Sequence, residues 1–133
     1  MNKKEELKKQ LAEIEKQERQ SLIEAEYPKF ASLIGKCFKY RNSHSLPEKP
    51  SDYWYSYYKI ISITPDDIYM GGMENDKVLS RCVVQSFQVD DNGVITIDPR
   101  YRTYVHILGK EIDIDEFNEK FNKVIDEINK ILP

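Results

Sequence analysis

The densest run of chemistry-bearing side chains is Tyr53-Trp54-Tyr55-Ser56-Tyr57-Tyr58-Lys59. Side chains alternate along a strand, so Tyr53, Tyr55 and Tyr57 share one face, and Trp54, Ser56 and Tyr58 the other. One face must enter a core. Rings displayed on the other, beside Lys39 and Arg41, suit either of two partners. They can stack the bases of single-stranded nucleic acid. They can equally anchor a protein interface, where Tyr, Trp and Arg are enriched. The plain alternative is that helices cover both faces and every ring is core. A looser group of cations lies at Arg100 and Arg102, with Arg81, His106 and Lys110 as neighbours. A strand puts Arg100, Arg102, Tyr104 and His106 on one face, where a phosphate or an acidic partner can dock unless Asp90, Asp91 or Asp98 neutralises it.

Signals for catalysis are weaker. A thiol nucleophile requires Cys37 or Cys82 within reach of His44 or His106 and an orienting group. Both cysteines fall in strand patterns, where a free Cys behaves as a small hydrophobe. Asp90-Asp91-Asn92-Gly93 is similar to a calcium loop, but matching Gly93 to the loop glycine puts Gln88 and Pro99 at ligand positions. Gly71-Gly72 lacks the Lys-Ser/Thr of a phosphate loop. Asp113-Ile114-Asp115-Glu116 is explained by helix capping and the helix dipole. No enzymatic activity, metal or cofactor is expected.

Three kinds of element must position these residues. Residues 3–26 hold no Gly or Pro and are rich in helix formers. Leu7, Leu11 and Ile14 make a narrow seam at 4–3 spacing that fails at Glu18 and Ser21. A second stripe, Leu22, Ile23, Tyr27, Phe30, Leu33 and Ile34, starts on a shifted register. The first half of the helix is expected to project and the second to pack, with Pro28 kinking or ending it near Glu26 and Gly35 stopping the continuation. Short strands follow: 36–41, 53–64, 68–70, 78–89, 94–97 and 101–108, with Pro99 as a stop. Residues 42–52 read as a loop, and Asn92-Gly93 as a two-residue hairpin turn. Phe117, Phe121, Val124, Ile128 and Ile131 then mark an amphipathic helix.

The chain has 133 residues, enough for one compact domain. Its 20 basic and 23 acidic groups give no global field to draw nucleic acid or an anionic membrane. The imbalance is local: residues 35–110 hold ten basic and nine acidic groups, and residues 111–133 three and seven. No apolar run is long enough to span a membrane, and the first residues lack the apolar core of a signal peptide. Two cysteines make neither a disulfide framework nor a zinc site. A cytoplasmic location in a bacterial host cell is expected.

The segment Leu33-Ile34-Gly35-Lys36-Cys37-Phe38-Lys39-Tyr40-Arg41-Asn42-Ser43, followed by Trp54 and Tyr57-Tyr58-Lys59-Ile60, resembles small accessory proteins of bacteriophages and prophages. Those often join a polar helix to a GK-x-[FY]-K-Y-[KR]-N strand and a Trp/Tyr-rich second strand. The resemblance implies a binder that blocks a host protein, such as a CRISPR nuclease or another defence effector, and it transfers no functional residue.

The architecture expected is α+β. An N-terminal helical arm, 1–34, with a kink or break near 27–28, joins a body, 35–133. The body is a small, strongly bent antiparallel sheet closing into an SH3-like or OB-like barrel, with a C-terminal helix over 114–132. The expected function is protein binding through Leu7, Leu11, Ile14, Arg41, Tyr53, Trp54, Tyr55, Tyr57, Arg100 and Arg102. The alternative is a nucleic-acid-binding barrel using Tyr55, Tyr57, Arg41 and Arg102. A homodimer through the N-terminal helix is compatible with both.

Overall fold

A computed structural model describes residues 2–44, 53–71 and 77–132. The order is α1 (Lys3–Ala31), β1 (Cys37–Asn42), β2 (Trp54–Ser62), β3 (Ile68–Met70), β4 (Val78–Val89), β5 (Ile95–Tyr104), β6 (Lys110–Ile112) and α2 (Ile114–Ile131). All six strands pair antiparallel in the order β3-β4-β2-β1-β6, and β5 also pairs with β4. The expected α+β class and flanking helices are present. The barrel is not: β5 and β6 never pair, so the sheet stays open.

Alternation within the strands explains the open sheet. Phe38, Ile60, Cys82 and Val84 project to one face and gather Ile23, Tyr27, Phe30 and Leu33 from α1 and its exit. Cys37, Phe87 and half-buried Tyr57 project to the other and gather Phe117, Phe121, Val124 and Ile128 of α2. Each face has its own helical cover, so burial does not require curling the sheet onto itself. The covers are offset. Helix α1 meets the end of the sheet near β3 and the 3-10 turn Pro65–Asp67, whereas α2 meets β1 and β2. Among the described residues, a stretch of sheet opposite each helix therefore has no helical cover.

Five local readings are corrected. Helix α1 runs through Pro28 to Ala31 rather than ending near Glu26. The lost hydrogen bond falls on the Glu24 carbonyl in an exposed stretch where water can replace it, and Tyr27, Phe30 and Leu33 hold the last turns on the sheet. Gly35, at φ +90°, then breaks the helical path, and its N–H donates to the Ile60 carbonyl at 2.8 Å. The hairpin after β4 is longer than two residues: Gly93 N–H donates to the Asp90 carbonyl at 3.0 Å, and of the turn residues Gly93 alone has positive φ. Asn92 therefore does not adopt the primed geometry that a two-residue hairpin needs. The Asp90 carboxylate instead accepts from the N–H groups of Asn92 and Val94, both at 2.9 Å.

Strand β5 passes through Pro99 without stopping. Val84 pairs with Tyr101 and Ser86 with Asp98, so Pro99 and Arg100 together oppose Gln85. Such a bulge is where a strand tolerates a residue with no N–H. The expected last strand ends at Tyr104, followed by a 3-10 turn, Val105–Ile107, and a short strand, β6, that was not anticipated. Asp113 occupies the N-cap of α2 but its side chain makes no capping bond; Glu116 reaches Lys39 instead, at 3.3 Å. The loop reading at 45–52 and Gly72 of the Gly71-Gly72 turn lie outside the described residues.

Candidate functional site

The first surface is the arm. Helix α1 contains no buried residue, and every side chain from Asn2 to Ser21 is exposed. Leu7, Leu11 and Ile14 are 58%, 57% and 51% exposed, in a row on one face. Most helical stability in proteins comes from packing an apolar face, and this part of α1 has no such packing. Three large aliphatics thus stand in solvent in one row along it. Where the arm joins the body, Leu22 and Ile23 face Ile68, Tyr69 and Met70 across a groove of about 740 Å³, rimmed by Glu15, Glu18 and Asp66. Sequence reasoning missed this groove because it exists only through the crossing of α1 over β3. The sole hint was an aliphatic in Ile68-Tyr69-Met70 with nothing local to bury it.

The second surface is a strip of stacked cations and rings. The register sets Arg41 opposite Tyr55 and Lys39 opposite Tyr57. Lys39 Nζ lies 5.0 Å from the Tyr55 ring, and the Arg41 guanidinium 4.5 Å from that of Tyr53. Lys39 also pairs with Glu116, so α2 holds the strip in place. Tyr57 goes inward, stacked on Phe87 at 5.0 Å. Burial first, then the charge of Glu116, pushes the Tyr57 phenol above its ordinary range. Trp54 stands at the end of the strip, its ring 4.5 Å from His44, and it lines the cleft beside the strip. Its Nε1 is buried and, among the described residues, has no hydrogen-bond partner. A cleft of about 350 Å³ opens beside the strip, lined by Tyr53, Tyr55, Lys120 and Lys123.

Arg102 is not part of that strip. It opposes Val83, and Tyr104 opposes Arg81, on the sheet area that α2 leaves bare. Arg81 lies 5.2 Å from the Tyr69 ring, and Tyr69 and Tyr104 meet edge to face at 6.1 Å. His106 joins them through Tyr104, while Arg100 stands apart in the bulge, its N–H donating to Asp98 at 3.1 Å. Among the described residues no carboxylate pairs with Arg81, Arg100 or Arg102. Asp91 is engaged by His44 at 3.0 Å. Tyr69 and Arg81 were not grouped this way from the sequence, since only the β3–β4 and β4–β5 registers bring them together.

On the bare area opposite α2, Asn42 donates to Ser56 at 2.9 Å, and Ser56 to Gln88 at 2.8 Å. This chain explains a lone Ser inside an aromatic run: a hydroxyl is needed to bridge two amides across β1, β2 and β4. Neither thiol is poised for attack. Cys37 and Cys82 are buried on opposite faces of the sheet. Desolvation raises both, Cys82 to about 11 with help from the Asp67 charge, so both stay protonated at neutral pH. Among the described residues no three His, Cys, Asp or Glu side chains gather as metal ligands, and no helix is long and apolar enough to cross a membrane.

No family model, curated protein or solved structure matches this chain. Its surfaces therefore have to be read on their own chemistry.

Proposed function

We propose that the chain is a non-enzymatic protein-binding module whose α1 arm docks on another polypeptide, with the Arg41–Tyr53 and Lys39–Tyr55 strip as a second contact. The observation that carries this reading is the exposed row Leu7, Leu11 and Ile14 on a helix with no buried residue. Burying those three side chains removes apolar surface worth several kcal/mol at about 25 cal/mol per Å². It also supplies the tertiary support that a solitary helix lacks. Tyr and Arg held by cation–π stacking lose little freedom on contact, which favours them as anchors. The phage resemblance makes a bacterial defence effector the host protein to try first against the strip.

The reading is tested with a photo-crosslinking side chain placed at position 11 or at position 13 on the opposite side of α1. Position 11 is expected to trap a polypeptide in host cells, and position 13 to trap none. Equal trapping from both positions, or none from either, removes the arm as a docking element.

A further inference from the structure

At 3.6 residues per turn, the side chains of residues 2–21 that lie within about 60° of Leu11 are Lys4, Leu7, Lys8, Ile14, Glu15 and Glu18. All are exposed, and α1 holds them on one continuous helix. Glu5, Glu6, Lys9, Glu13 and Lys16 fall on the far side. Read from the tip toward the body, the arc runs from cations through aliphatics to carboxylates. That order complements its own reverse. An arm turned end for end about Leu11 sets Lys4 against Glu18 and Lys8 against Glu15, and a two-fold axis makes each contact twice. Its aliphatics then meet in the middle. Parallel pairing in register would instead put the lysines of both copies together, and likewise the carboxylates, which is repulsive at both ends.

From this palindromic pattern we infer that the arm's occupant is a second copy of this chain, packed antiparallel across a two-fold axis near Leu11. The inference rests on the arm being a docking element and names its partner. Glu15 and Glu18 also rim the groove that Leu22, Tyr69 and Met70 line. The basic tip of one arm thus comes to the acidic mouth of the other copy's groove. Met70, 51% exposed there, lies where the incoming tip would cover it. The axis sets the two bodies at opposite ends of the paired arms, each with its own cation–ring strip, so the dimer presents that contact bivalently.

Sedimentation equilibrium from about 1 to about 300 µM spans the range in which so small an interface dissociates. The wild-type chain is expected to pass from monomer to dimer within it. Lys4→Glu with Lys8→Glu makes the arc acidic throughout, and Glu15→Lys with Glu18→Lys makes it basic. Each variant alone should associate at least about tenfold more weakly, since attraction becomes repulsion at four contacts. An equimolar mixture of the two should regain dimer. All four positions are exposed, so melting curves should match the wild type and show that both variants fold. A wild-type chain that stays monomeric, or either variant dimerising as well as wild type, overturns the inference. The mass trapped from position 11 separates the two claims. A doubled chain mass supports both, a different protein overturns the second copy but keeps the docking arm, and no product overturns both.

Discussion

Replacing Phe117 by alanine is expected to lower stability by about 3–5 kcal/mol, the usual result of emptying a buried aromatic site. Phe117 is 2% exposed, the largest side chain fully enclosed by the fold. Its ring meets Phe87 edge to face at 5.1 Å and stacks with Phe121 at 6.4 Å. Phe87 in turn stacks on Tyr57. One side chain thus couples α2 to β4 and β2, and the cavity left by alanine lies where those three elements meet. Neighbours cannot easily collapse into it, because Phe87 and Phe121 are each fixed by a further ring. Urea unfolding should show a lower midpoint with unchanged slope, the sign of lost stability rather than a changed unfolded state. Ile131→Ala on the same helix, at a side chain 75% exposed, should move the midpoint little. Equal effects of the two substitutions would mean that α2 does not cover the sheet as described.

Gly109→Ala should cost roughly 3 kcal/mol, from a residue that sequence reading passed over. Gly109 sits at φ +90° just before β6. Added there, a Cβ would run into the Lys39 carbonyl oxygen, with the Lys39 carbonyl carbon at 2.9 Å and Tyr40 Cα at 3.0 Å. These are backbone atoms of β1 and cannot step aside without breaking the β1–β6 ladder, whose register pairs Lys39 with Lys110. The comparison that isolates the clash is Gly93→Ala. Gly93 has φ +81° but open space around it, so its alanine carries the left-handed strain alone, about 1–2 kcal/mol. A thermal melt of both variants reads the difference. Equal losses would show that strain, not contact with β1, is what Gly109 relieves. The site is also functional at one remove, because displacing Lys39 disturbs both its Glu116 ion pair and its stack on Tyr55.

The parts legible in the sequence are those set by short-range pattern. Phe117, Phe121, Val124 and Ile128 at helical spacing mark α2 and its buried face, and all four pack on the sheet. The aliphatics after Leu22 mark where α1 stops projecting. Alternation along Tyr55–Tyr58 separates Tyr57 from Tyr58 correctly, because a two-residue period survives any tertiary arrangement, whereas Trp54, at the strand's start, lines the same cleft as Tyr55 and Tyr57. The illegible parts depend on pairing at a distance. Pro99 reads as a stop, but a bulge opposite Gln85 absorbs it. Three residues, Lys110–Ile112, form β6 only because β1 offers a free edge. Strand number alone points to barrel closure, but two helices each take a face of the sheet. The Arg81–Tyr69–Tyr104 cluster and the groove beside Met70 combine segments distant in sequence, so no local signal announces them.

Residues 3–20 form a helix with every side chain exposed, and the proposed function requires that another polypeptide cover it. Amide hydrogen exchange along α1, followed as the chain is titrated from dilute to concentrated and then with any polypeptide trapped from position 11, tests this most directly. In dilute solution the arm amides should exchange fast, as expected for a helix with no buried apolar contacts, while β2 and β4 amides exchange slowly. Arm protection should then rise with occupancy, with the body unchanged. Arm amides as protected as those of β4 in dilute solution, or unprotected under every condition, would contradict the account.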